Sequence, residues 1–196
     1  VKCRGFIQDK RFFIFHNKNY FKSKSEEGAQ VKISKRNIER KIKNCASALA
    51  DFCEKARAQN LKISATSGTF DVLHDGHVKY LIKASELADI LIVGIDCDRL
   101  VKSIKGESRP YWKENVRAYN IAAHEHVDAV LVIGSSSELI EIVRPHFFVM
   151  SETTRVVGSR DGEIRLIKRL GGEIVIFGSM SENSTTAVLG RMRHGR

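Results

Sequence analysis

The sequence predicts an α/β fold: a doubly wound, five-stranded parallel sheet with an N-terminal helical and basic extension. Three observations predict it. Beyond Asn60, short apolar runs rich in β-branched residues alternate five times with helical stretches, and such alternation forces parallel strands with helices on both faces. The length of 196 residues suits one α/β domain with an appendage. A hydrophobic content of 42% with only two prolines supplies a core that needs no disulfide or metal staple.

The elements follow in order. Residues 1–36 mix basic side chains with Phe6, Phe12, Phe13, Phe15, Tyr20 and Phe21, then pass through the polar stretch Ser23 to Gln30. From Asn37 to Gln59, Ile38, Ile42, Cys45, Leu49, Phe52 and Ala56 recur at helical steps. Strands are expected at Leu61–Ala65, Ile90–Ile95, Ala129–Ile133, Phe147–Met150 and Glu173–Phe177. Helices are expected near Val78–Ala88, Trp112–Ala123, Glu138–Val143 and Ile164–Leu170, with a last one starting near Ser184. The organisation is therefore a basic extension over 1–36 and one domain over 37–196.

Charge divides the chain at the same place. The net of +10 is uneven: residues 1–43 hold 13 Lys/Arg against 4 Asp/Glu, and residues 44–196 hold 20 against 19. The domain itself is nearly neutral, so nucleic acid is not its expected partner. The basic segment reads first as a loose arm with a solvated charge run. An RNA- or membrane-surface-binding arm, a remnant of an upstream domain and an organelle-targeting segment remain open. No run of 18 apolar residues calls for a membrane span, and no secretory signal pattern opens the chain, so a cytoplasmic location is expected. The first residue is Val, which points to a trimmed or partial product. Cys3, Cys45, Cys53 and Cys97 have no zinc-type spacing and read as free thiols. His124 and His126, two apart on a helix, face different ways and read as surface residues.

The most informative stretch follows the first strand: Ser67-Gly68-Thr69-Phe70-Asp71-Val72-Leu73-His74-Asp75-Gly76-His77, with a helix beginning at about His77. In a doubly wound sheet the ligand sits beyond the strand C-termini. A helix N-terminus there offers unpaired N–H groups and partial positive charge to phosphate. Gly68 and Gly76 let backbone or phosphate come close. His74 and His77 bracket the second glycine and can aim ring donors at one anionic centre.

GTFDVLHDGH with its following helix resembles the signature of the HxGH nucleotidyltransferases, the cytidylyltransferase-like family. KGESRP at Lys105–Pro110, Arg117 seven residues later, and Ser184-Thr185-Thr186 extend the likeness, which runs from about residue 38 to 190. Within the family the chain is most similar to the heptose-1-phosphate adenylyltransferase group. The resemblance implies a Rossmann-like nucleotidyltransferase fold. It also implies attack by an acceptor phosphate oxygen on the α-phosphorus of a nucleoside triphosphate, with loss of pyrophosphate. The partners are then the triphosphate and a phosphorylated small-molecule acceptor.

His74, His77 and Lys105 are the implied catalytic residues. Gly68, Thr69, Phe70, Asp71, Gly76, Asp98, Arg117, Ser184, Thr185 and Thr186 are the implied nucleotide-binding set, with Asp98 at a ribose hydroxyl and Arg117 at phosphate. Lys102, Arg109 and Glu152 are weaker candidates for the acceptor, Lys102 and Lys105 being placed on a loop after the second strand. Mg²⁺ is implied as a cofactor of the triphosphate and keeps several waters, so no protein metal site is expected. Related domains often pair, which makes a homodimer the oligomeric expectation.

The sequence departs from the family pattern at Met150-Ser151-Glu152-Thr153-Thr154, where the adenylyltransferase group has a Lys-Gly-Gly-Asp-Tyr-like stretch, and at Asn115, where Glu is frequent. The expected donor is ATP and the expected acceptor a heptose-1-phosphate-like sugar. CTP with glycerol-3-phosphate or an aminoalcohol phosphate, and a catalytically silent nucleotide-binding module, stay open.

Overall fold

A computed structural model describes residues 37–152, 160–181 and 190. Six parallel strands form one sheet in the order β1-β4-β3-β2-β5-β6. They are β1 (Ile42–Lys43), β2 (Ile63–Gly68), β3 (Ile90–Asp96), β4 (Ala129–Ile133), β5 (Phe147–Ser151) and β6 (Glu173–Phe177). Between them run α1 (Ile38–Lys41), α2 (Ala46–Ala58), α3 (Asp75–Ser85), α4 (Asp98–Lys105), α5 (Glu114–Ala122), α6 (Ser136–Val143) and α7 (Asp161–Arg169). The expected final helix from Ser184 lies outside the described residues.

Central strands β2, β3 and β4 read as continuous apolar runs because both their faces are covered. One layer joins Leu49 and Cys53 of α2, Leu139 and Val143 of α6 and Ile167 of α7 to Ile63, Ala65, Ile92 and Phe148 of the sheet. The opposite layer joins Leu81 of α3 and Ile121 of α5 to Leu91, Val93, Val130 and Val149. Gly94 lets α6 approach β3: a Cβ there would stand 2.6 Å from Ile133 Cδ1 and 2.8 Å from Leu139 Cδ2.

Three expectations need correction. The sheet has a sixth strand, because the expected helix over Asn37–Gln59 breaks at Ile42 and Lys43, which pair with Val130 and Leu131. The β4 edge offers unpaired backbone groups that a β-branched residue can meet in extended form, and this outweighs the helical spacing. Lys102 and Lys105 stand on a helix, α4, and not on a loop. Its apolar pattern is weak since it buries only Val101, and its start is tied down when Asp98 N–H donates to Glu114 Oε2 at 2.6 Å. The helix after β2 starts at Asp75, two residues before His77. Among the described residues no helix is long and apolar enough to cross a membrane.

Candidate active site

The chain leaves β2 for β3 and β4 on one side, then crosses back to β5 on the other. The C-terminal end of β2 is thus the point where strand order reverses, where a doubly wound sheet opens a crevice. Thr69 and Phe70 turn the chain there. Phe70 adopts φ 45°, a strained setting for a side chain with a Cβ, and is held by burial of its ring 5.3 Å from that of His77. A Cβ on Gly68 would stand 3.1 Å from the Phe70 ring.

His74 occupies the N-cap position of α3 and makes no side-chain cap bond. One turn of helix brings His77 beneath it, with ring centroids 3.9 Å apart and 33° between planes. Nδ1 of each ring is buried without a hydrogen-bond partner among the described residues. Burial, then the neighbouring His74, Lys105 and His124, pushes His77 down to about 4. Burial also lowers His74, against the pull of Asp75. Two neutral imidazoles with uncommitted buried nitrogens make a site that gains from an anion. Gly76 permits the stacking, since a Cβ there would lie 3.0 Å from the His74 ring and 2.9 Å from Ser181 Cβ. Ser181 Oγ donates to Asp75 Oδ1 at 2.7 Å and fastens the segment after β6 to this corner.

Asp71 is buried and works as a clamp. Its carboxylate accepts from Arg109 Nε at 2.8 Å and from the Tyr111 and Trp112 amides at 2.9 Å, and Arg109 Nη2 lies 2.7 Å away. Burial alone would raise its pKa, but the Trp112 and Tyr111 amides and Arg109 outweigh it and hold the carboxyl below its ordinary value. The 109–112 segment, whose Arg109–Pro110 peptide is cis, is therefore fixed against the β2 turn.

Arg117 is fully buried. It donates to the carbonyls of Trp112 (2.9 Å), Thr69 (2.7 Å) and Asp96 (2.7 Å) and to Asp98 Oδ1 (2.8 Å). Expected at a phosphate, it instead pins the ends of β2 and β3 to α4 and α5, and Asp98, expected at a ribose, is its counter-ion. Lys105, the last residue of α4, keeps contact with solvent. Crowding by surrounding atoms and the Arg109 charge lower its pKa, Asp96 and Asp71 raise it, and Arg117 lowers it again, for a net fall. Lys102 turns to Glu107 at 3.2 Å.

Gly68, Thr69, Phe70, His74, Gly76 and His77 thus meet at one corner, with Lys105 near His77 in electrostatic terms. Asp71 and Arg109 stand behind that corner as a scaffold. Glu152 is exposed just past β5, and Ser184, Thr185 and Thr186 lie outside the described residues. The sequence reading missed Asp96, whose Oδ2 accepts from Thr69 Oγ1 at 3.1 Å. A carboxylate closing an apolar strand was the available signal. It also missed Ser67, Ser136 and Arg160, polar neighbours across the α6 face of β2. His124 and His126, expected at the surface, are half-buried. Among the described residues no three His, Cys, Asp or Glu gather as a metal site.

Residues 65–181 match the cytidylyltransferase-like family. The Bifunctional protein HldE of Bradyrhizobium sp. (strain ORS 278) is 39% identical over 81% of this chain and 32% of its own length. Its namesake from a Nitratiruptor species is 44% identical over 67% of this chain and 28% of its own. The chain therefore spans about a third of these curated relatives. Among solved structures, the lipopolysaccharide core biosynthesis protein of Thermoplasma volcanium GSS1 superposes with a TM-score of 0.52 at 22% identity, covering 63% of this chain and 99% of that one. The pantoate-beta-alanine ligase of Francisella tularensis, complexed with beta-gamma ATP and beta-alanine, gives 0.52 at 17%, covering 72% and 67%. Both show the same Rossmann-type α/β architecture. Family match, sequence relatives and the histidine corner after β2 agree, and the chain belongs to the cytidylyltransferase-like family of nucleotidyltransferases.

Proposed function

We propose that the chain transfers AMP from ATP to the phosphate of a sugar phosphate of the heptose-1-phosphate kind. The observation that carries this reading is the stacked, neutral His74–His77 pair with two buried, uncommitted nitrogens at the N-terminus of α3. The donor and the sugar rest on the likeness of KGESRP, Arg117 and Ser184-Thr185-Thr186 to the adenylyltransferase group.

An acceptor phosphate oxygen forms a new bond to the α-phosphorus. The bond from that phosphorus to its bridging oxygen breaks, and pyrophosphate leaves with the electron pair. No covalent enzyme intermediate is needed, because such transfers depend on positioning and charge stabilisation. An N–H from each imidazole meets the non-bridging oxygens as charge builds at five-coordinate phosphorus. Thr69 and Phe70 bring backbone amides to the triphosphate, Lys105 adds a cation at the mouth, and Ser184, Thr185 and Thr186 take the β- and γ-phosphates. Arg117 and Asp71 position this machinery from behind.

The oxygen donors at the crevice, Asp96 and Thr69, are of the kind Mg²⁺ takes but too few to hold it alone. They fit an ion that arrives on the triphosphate, where Mg²⁺ would neutralise phosphate charge. A cytoplasmic homodimer completes the proposal, its assembly open to light scattering.

The test is pyrophosphate release with Mg²⁺, crossing ATP, CTP, GTP and UTP with heptose-1-phosphate, other sugar-1-phosphates, glycerol-3-phosphate, phosphocholine and flavin mononucleotide. ATP with a sugar-1-phosphate should turn over, and His77→Ala should lower kcat about 10²–10³-fold, as loss of one transition-state donor does. CTP preferred over ATP, or turnover confined to acceptors other than sugars, would overturn it.

A further inference from the structure

The C-terminal end of β2 presents polar groups to both faces of the sheet. Thr66 Oγ1 meets the Tyr80 hydroxyl of α3 at 2.7 Å, on the side from which His74 and His77 arrive. Ser67, one residue on, points the other way. Its Oγ lies 2.8 Å from Ser136 Oγ, at the first residue of α6. Ser136 Oγ accepts from Arg160 Nη1 at 2.9 Å, on the residue that leads into α7. Arg160 also pairs with Glu163 Oε1 at 3.2 Å. Both contacts use Nη1, so neither engages Nε or Nη2, and the side chain is 24% exposed.

The third member of this corner is Asp96. It ends β3, whose Gly94 pairs with Ser67, and its Oδ2 accepts from Thr69 Oγ1 at 3.1 Å; burial raises its pKa, while Thr69 and the charges of Lys105, Arg117 and Arg160 oppose the rise. Glu163 is the anion paired with Arg160.

Displacement in line at phosphorus needs the attacking and leaving oxygens on opposite sides. If the α-phosphate sits on the α3 face of β2, the acceptor comes from another wall, and the α6–α7 face provides one. We infer that Arg160, Ser136 and Ser67 seat the phosphate of the acceptor, while Asp96 accepts a hydrogen bond from a hydroxyl of its sugar. A guanidinium fork flanked by hydroxyls suits a phosphate dianion, and a carboxylate beside it can accept from the hydroxyls of a sugar. This inference rests on the nucleotidyl-transfer reading above and adds to it the side of the sheet from which the acceptor enters.

The experiment compares the intact chain with Arg160→Gln, Arg160→Lys and Ser136→Ala. With a turned-over sugar-1-phosphate, Arg160→Gln should raise the acceptor KM about tenfold or more, the worth of a charge-assisted bond, and leave the ATP KM unchanged. Arg160→Lys should fall between. A structural role alone would lower thermal stability or kcat without that split. Inorganic phosphate, titrated calorimetrically into protein saturated with a non-hydrolysable ATP analogue, supplies a readout free of turnover. Wild type should bind it and Arg160→Gln should bind it about tenfold more weakly. An ATP KM that rises with the acceptor KM, or phosphate binding indifferent to Arg160, overturns the assignment. Failure of every sugar phosphate to react overturns the proposed function instead, and the phosphate titration still decides the site.

Discussion

At His77 burial, the neighbouring His74 ring and Lys105 hold an imidazole uncharged down to about pH 4, whereas a histidine in the unfolded chain titrates near about 6.5. Across that window the unfolded chain binds more protons than the folded one, so stability rises with pH and is lost as pH falls. His74, also lowered, acts with the same sign. Urea denaturation should show stability falling from pH 7 toward pH 4, by at most about 1.4 kcal/mol per unit for one group. His77→Ala should flatten that slope, and an unchanged slope would show that the ring is not held neutral. Bound triphosphate works in the opposite direction by placing negative charge beside the rings. Titration of ATP into the protein at pH 6 should therefore take up protons, read as a binding enthalpy that varies with the ionisation enthalpy of the buffer. The histidine pair is legible in sequence because its chemistry needs only spacing, a glycine and a helix start. The role of Arg117 is not: one-dimensional spacing brings an arginine to the site but does not say whether it meets phosphate or the carbonyls of Thr69, Asp96 and Trp112.

Elements meet at this corner through single side chains. Asp71, itself buried, joins the β2 turn to the 109–112 segment by Arg109 and two backbone amides. Asp71→Ala would leave Arg109, 13% exposed, without its carboxylate. The expected cost is about 3–5 kcal/mol, as for removal of one partner of a buried pair, measurable by chemical denaturation. Asp71→Asn should cost less, because an amide oxygen still accepts from Tyr111 and Trp112; equal losses would mean that the charge alone matters. The five long strands were readable because each is an apolar run flanked by polar turns, and Ala129–Ile133 and Glu173–Phe177 fall where the sequence puts them. The two missed elements differ in kind. β1 exists because β4 has an edge to pair with, a cause that no local pattern could carry. α4 does carry local marks, with Asp98 in its first turn, Lys102 and Lys105 in its last and Gly106 at positive φ beyond it, and Glu114, 16 residues away, accepts from the Asp98 amide at its start.

Taken whole, the molecule separates charge from chemistry. Residues from Ile38 to Met180 supply the two core layers, and the described corner draws on Thr66 through Ser181. The first 36 residues hold 10 of the 33 Lys/Arg and 3 of the 23 Asp/Glu, so a chain starting at Asn37 would carry +3 in place of +10. If the basic segment serves the site, its removal must weaken nucleotide binding. If it is an independent polyanion-binding arm, removal must abolish only long-range attraction. The second outcome is expected, because the proposed anion site at the histidine corner draws on buried imidazole nitrogens and Lys105, none of them in that segment. Calorimetry should give the same ATP affinity for both chains. Retention of the intact chain on heparin should fall steeply with salt, as counterion release requires, and the shortened chain should elute early at every ionic strength. A loss of ATP affinity on shortening would instead make the segment part of the active site, and the near-neutral domain would then be an incomplete account of where the nucleotide is held.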